Sequence, residues 1–198
     1  MQIGIVATVY ALILVAELPD KTMIATLIMG SRYRPVLVWL GAVLAFTIHV
    51  TVAVAVGQLL HLLPHKWVEG VTTLLFAAGA VYLLVVPEKE EEQVGEQEAS
   101  GGAGPGRGLR PVGTVFLIVF VGEFGDLTQL LTANLAAKYH APASVFLGAW
   151  AALVTASAAG AFGGRALVKV LPLVVIRKAG GVLLAGFAIY SVVQLIRG

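Results

Sequence analysis

The apolar positions of this chain neither alternate nor keep to one helical stripe. They run on for a membrane's width, stop, and start again. Six such runs are visible. Residues 3–16 lead into a short polar stretch, and the run resumes to residue 30. Residues 35–60 hold one titratable group, His49, and residues 70–87 carry no charge. A second polar interruption sits inside 111–137, while 141–164 and 179–196 are again free of charge. About 20 helical residues cross a hydrocarbon core of ~30 Å, so each run has the reach of a span. The pattern predicts an all-α membrane protein with six transmembrane helices.

The two interruptions are the same motif. The first is Glu17-Leu18-Pro19-Asp20-Lys21-Thr22, the second Glu123-Phe124-Gly125-Asp126-Leu127-Thr128. At a separation of 106, Glu17, Asp20, Thr22 and Thr26 match Glu123, Asp126, Thr128 and Thr132. Farther along, Pro35, Gly41 and Gly57 match Pro142, Gly148 and Gly164 at 107, and Pro64 and Tyr82 match Pro172 and Tyr190 at 108. The drift fits a duplication with single-residue insertions in loops. Three spans per half is an odd number, so the second half enters the membrane from the opposite side. The expected arrangement is two inverted three-helix repeats, residues 1–87 and 111–198, related by a pseudo-two-fold axis in the membrane plane. Residues 88–110 are the linker, rich in glutamate and then glycine, a composition that does not form a core. Proline removes a backbone donor and pushes the residue before it out of helical angles. Glycine at the matching place allows angles that other residues avoid. Spans 1 and 4 are therefore expected to be distorted at Pro19 and Gly125.

Composition sharpens the class. The chain is 59% hydrophobic and 12% charged, with a mean hydropathy of +0.93, where a soluble domain carries about 25% charged residues. No cysteine is present, which excludes disulfides and thiolate metal sites. No basic residue precedes the first apolar run, and Ala-x-Glu is a poor cleavage site, so this run is expected to stay as a span. With the N-terminus outside, the inner side holds Arg32, Arg34, Lys89, Arg107, Arg110, Arg165, Lys169, Arg177 and Lys178, and the outer side Lys66, Lys138 and Arg197. That bias predicts both termini outside and the central loop in the cytoplasm. The stretch 165–178 is too short and too charged to span, and belongs at the inner interface.

The motif carries the chemistry. Glu17, Asp20, Glu123 and Asp126 lie where a bilayer offers hydrocarbon, at a cost of roughly 2.5–3.5 kcal/mol each by insertion scales. Only Lys21 and His49 are available as intramembrane bases, too few to neutralise four acids. A bound divalent cation is the simplest compensation. Glu and Asp three apart share a helix face. Thr22, Thr128 and the amide of Gln129 would complete a set of hard oxygen donors suited to Mg²⁺, Ca²⁺ or Mn²⁺. Met23 stands where the second copy has Gln129, so the site is not fully symmetric. Carboxylates crowded at low dielectric hold protons, and a cation displaces them. Metal and protons then compete for one site, which is the physical basis of exchange. Lys21 and His49 are the candidates for proton coupling or charge balance.

On these residues the chain resembles the Gdt-type, MneA-like manganese/calcium cation:proton exchangers of the LysE transporter superfamily. Their pattern is Glu-x-Gly-Asp-Lys/Arg-Thr/Ser, twice, in six spans with an acidic central loop. The resemblance covers the whole chain. It implies export of Mn²⁺ or Ca²⁺ from the cytoplasm driven by proton entry, with Glu17, Asp20, Glu123 and Asp126 binding the cation. The metal is then a transported substrate, there is no cofactor and no enzyme activity, and the partners are a divalent cation, protons and the lipid bilayer, not nucleic acid. Similarity to bacterial exporters places the chain in a bacterial inner membrane. Two positions depart from the pattern: Pro19 replaces the first glycine, and Leu127 the second basic residue, leaving the motif pair one positive charge short. The alternatives are an exporter of organic cations or basic amino acids from the same superfamily, and a cation channel.

Overall fold

The computed structural model describes residues 2–18, 21–60, 65–85, 93, 97, 110–170 and 173–197. Most of the linker expected over 88–110 lies outside the described residues, as do Pro19, Asp20 and the side chain of Lys21. Among the described residues the elements are helical: α1 (Ile3–Glu17), α2 (Lys21–Arg32), α3 (Pro35–Leu60), α4 (His65–Val85), α5 (Arg110–Gly122), α6 (Leu127–Tyr139), α7 (Pro142–Val170) and α8 (Leu173–Arg197). Each half thus follows the same order, two short helices and then two long ones.

Among the described residues, only α3 and the 142–163 stretch of α7 are single helices long and apolar enough to cross a membrane. At 26 residues α3 reaches about 39 Å. The expected spans 1 and 4 are each two helices at a sharp angle: 72° between α1 and α2, 71° between α5 and α6. Counting each bent pair as one span brings the total to four among the described residues. In α4 and α8 the described apolar stretches, Glu69–Val85 and Gly180–Val193, are shorter. Within the charged stretch 165–178, residues 165–170 continue α7 and residues 173–178 open α8.

The molecule is apolar outside and polar within. Along α3 the exposed side chains include Val36, Leu40, Leu44, Ile48, Val52 and Val56, a stripe at four-residue spacing that faces outward. Comparable outward apolar residues line α4 (Val71, Leu74, Val81) and α8 (Val182, Ile189, Ile196). Exposed apolar surface on this scale needs lipid or another protein against it. The buried set, by contrast, includes Glu17, Thr22, Thr26, His49, Glu123, Thr128, Thr132 and Asn134. This is an integral membrane protein.

The packing of the two halves is matched. α1 lies on α7 as α5 lies on α3; α2 lies on α7 as α6 lies on α3; and α3 and α7 pack on each other. Glycine makes the closest of these approaches possible. A Cβ on Gly41 would stand 2.6 Å from Val112 O and 2.9 Å from Val115 Cβ. One on Gly148 would stand 2.7 Å from Val6 O and 2.9 Å from Val9 Cβ. These are the same contacts at the separations of the repeat. Small residues at helix crossings let backbones meet where the hydrophobic effect gives no help. Two indoles tie the central pair: Trp39 Nε1 donates to Val154 O (3.2 Å) and Trp150 Nε1 to Thr47 Oγ1 (2.9 Å).

Gly41→Ala and Gly148→Ala should each lower stability by about 1–3 kcal/mol, the usual cost of overpacking. Gly113→Ala, in α5 with nothing within 4 Å of the new methyl, should be neutral or stabilising by up to about 1 kcal/mol. Thermal unfolding of the three variants in detergent checks the contrast.

Candidate cation site

Both motif copies end a helix. α1 closes at Glu17, and Leu18 is extended, with φ −99° and ψ 123°. That is the conformation forced on a residue before proline. In the second copy α5 ends at Gly122, and Glu123, Phe124 and Gly125 form a turn. Gly125 has φ +82°, a conformation that side-chain-bearing residues avoid. Asp126 is then extended (φ −67°, ψ 163°) and caps α6, its carbonyl accepting from Leu130 N–H (3.1 Å). The expectation that Glu and Asp share one helix face is therefore corrected for the second copy. The turn at Gly125 intervenes, so Glu123 and Asp126 stand on opposite sides of a break.

The breaks meet. Thr22, in the first turn of α2, donates its hydroxyl proton to Glu123 Oε1 of the other half. α1 also packs on α6, and α2 on α5. Glu17 and Glu123 are almost fully buried, at 1% and 3% exposure. Thr22 and Thr128 are buried too, and each motif is extended by a further threonine. Thr26 Oγ1 donates to Thr22 O (2.8 Å), and Thr132 Oγ1 to Thr128 O (2.7 Å). Thr26 and Thr132 were visible as matched residues of the repeat, but their place beside the acids follows only from the fold.

A cavity of about 10 Å³ lies against Glu123, lined also by His49, Thr128, Gln129, Thr132 and Leu153. It holds roughly one water. Gln129 spans its rim. Its Oε1 accepts Gly125 N–H (2.7 Å), and its Nε2 lies 3.0 Å from His49 Nδ1. The amide orientation is thereby set, so Nε2 donates and Nδ1 accepts. His49 then carries its proton on Nε2 and donates it to Phe120 O at 3.0 Å. The ring also stacks near Phe120, with centroids 4.9 Å apart. His49 and Gln129 thus brace the Gly125 turn against α3. The first half has Met23 where the second has Gln129, and Ala156 of α7 matches His49 of α3, so no such brace can form there.

Asp126 is placed differently. It is half-buried and lines a second, larger cavity of about 260 Å³ with Ala16, Ala78, Tyr82, Leu127 and Thr128. Of the residues singled out from sequence, Thr22, Glu123, Thr128, Gln129 and His49 are brought to one junction, Glu17 ends the helix beside it, and Asp126 lines the larger cavity next to it. Asp20 and the Lys21 side chain lie outside the described residues, among which no three of His, Cys, Asp and Glu cluster as a metal site.

A family model described as "Divalent cation/proton antiporter GDT1" matches residues 5–91 and again 111–197. The chain belongs to the GDT1 family. The two matched stretches are offset by the same 106 positions as the doubled motif. Relatives include GDT1-like protein 5 of Oryza sativa subsp. japonica, 29% identical over 91% of this chain and 90% of its own length. The chloroplastic GDT1-like protein 1 of Oryza sativa subsp. indica is 26% identical over 96% of this chain, and the chloroplastic Protein PAM71 of Arabidopsis thaliana 28% over 96%. The chain spans only 62% and 57% of the length of those two. No solved structure matches it. The GDT1 family is one of antiporters rather than enzymes, and its metal is cargo rather than cofactor.

Gln129→Met removes both hydrogen bonds of the brace and should cost about 1–3 kcal/mol, at roughly 0.5–1.5 kcal/mol per bond. Gly125→Ala should cost about 1–2 kcal/mol, the penalty for a side chain in left-handed backbone, since its methyl meets nothing within 4 Å. Chemical unfolding in detergent measures both.

Proposed function

We propose that the chain is a secondary active transporter that exports Mn²⁺, or Ca²⁺, from the cytoplasm in exchange for protons. The observation that carries this reading is the hydrogen bond from Thr22 of one half to the buried Glu123 of the other, which makes the two helix breaks a single junction. Glu17, Asp20, Glu123 and Asp126 supply charge there, Thr22, Thr128 and Gln129 neutral oxygens, and Lys21 and His49 charge balance. Hard oxygen donors suit Mn²⁺ and Ca²⁺. Without the ion, protons are the other species able to discharge buried acids. A cavity of about 10 Å³ beside Glu123 is on the scale of an ion, not of an amino acid, which favours a metal over an organic cation.

In this reading the fold is six spans in two inverted three-helix repeats, 1–87 and 111–198, joined by the cytoplasmic linker 88–110. The matched packing of α1 on α7 and α5 on α3 supports it, as do the equivalent contacts of Gly41 and Gly148 and the doubled family match. Rocking of one repeat against the other would expose the junction to each side in turn. Both termini lie outside a bacterial inner membrane, as the distribution of Lys and Arg suggests.

In proteoliposomes, an inward Mn²⁺ gradient should drive proton efflux that a pH-sensitive dye records. Glu17→Gln and Glu123→Gln should abolish the signal in protein that still elutes as a single folded species. Full-rate transport by both variants would remove these residues from the site. Thr22→Val should slow transport without abolishing it, because a bond across the junction is lost but the charges remain.

A further inference from the structure

The two acids of the second motif line different cavities, and the cavities differ greatly in size. Glu123 borders a small space of about 10 Å³, enough for roughly one water. Asp126 borders a much larger one of about 260 Å³. A water occupies about 30 Å³ of liquid. Six waters around a divalent ion therefore need about 180 Å³, which the larger space can accommodate. Thr128 lines both cavities and is the wall they share. We propose that the cavity at Asp126 is an aqueous antechamber, in which a divalent cation is held with its water shell before it is stripped and passed by Thr128 to Glu123.

Three observations carry this. First, Asp126 is half-buried at the depth of the helix break. With Thr128 and Tyr82 it sets polar side chains in the cavity wall, which suit water better than acyl chains. Second, the cavity has a direction. Ala78 and Tyr82 lie one turn apart on α4, and Tyr82 is three residues from the helix end at Val85, about 4.5 Å of rise. The cavity thus runs from the junction toward the membrane face on which α4 ends, the cytoplasmic face in the orientation proposed above. Third, among the described residues Asp126 is the acid that lines it. The division of labour also sets selectivity. Mg²⁺ gives up its waters reluctantly, so it can enter the antechamber but is disfavoured at the step past Thr128.

The inference rests on the reading of the junction as a cation site, and its test is independent of transport. The chain has no cysteine, so single introduced thiols report access without background. In inverted membrane vesicles, Ala78→Cys should react with a membrane-impermeant charged maleimide, and Ala53→Cys, buried in the wall of the smaller cavity, should not. Mn²⁺ and Mg²⁺ should both slow modification of Ala78→Cys severalfold. Adding Asp126→Asn should remove that protection while leaving the thiol reactive. If Ala78→Cys reacts only with a lipid-permeant maleimide, the cavity faces acyl chains and the proposal fails. It fails also if protection survives Asp126→Asn, or if Mn²⁺ protects and Mg²⁺ does not, since the ion would then lose its water before reaching Asp126. Modification and protection as expected in a protein that moves no cation would leave the antechamber standing and overturn the transport reading instead.

Discussion

A carboxylate at membrane depth must be answered by a partner, and in this molecule one helix ends early in each half to provide one. The bond from Thr22 to Glu123 joins those ends. Neither break could supply it alone. The hydroxyl belongs to the helix after the first break, and the carboxylate to the turn before the second. Bends of 72° and 71° turn α2 away from α1 and α6 away from α5, so the helix ends face a common interior rather than lipid. The remaining architecture serves to hold that junction. α3 and α7 form the central pair against which all four short helices pack.

The frame and the chemistry obey different rules. The frame repeats closely: Gly41 on α5 has its counterpart in Gly148 on α1, down to the same two neighbouring atoms. Close approach of backbones is a steric demand, and it is equal on both sides. The chemistry repeats only in part. One break falls at a proline and the other at a glycine with φ +82°. The glycine turn is braced by Gln129 and, through it, His49. Proline restricts its own backbone and the residue before it, whereas glycine needs outside help to stay in one conformation. The brace meets that need.

Much of this was legible along the chain. The doubled acidic motif, the break points at Pro19 and Gly125, and the class of the protein all follow from local composition and spacing. The placement of Asp126 does not. Helical spacing put it beside Glu123, but one residue with positive φ turned the chain between them, and the two acids came to border different spaces. Thr72 shows the same limit. It donates to Asn134 in a buried contact between α4 and α6, and neither residue belongs to the repeat or stands out by spacing.

By itself the order of residues determined what had to be buried and where helices had to stop, because hydrophobicity and backbone restriction are properties of short stretches. Which groups answer one another was decided only in three dimensions. Thr22 and Glu123 are 101 positions apart, and Gln129 and His49 are 80 apart. A hydrogen bond depends on the last ångström of separation, and that distance is set by how whole helices pack, through glycines such as Gly41 and Gly148 that allow the halves to close.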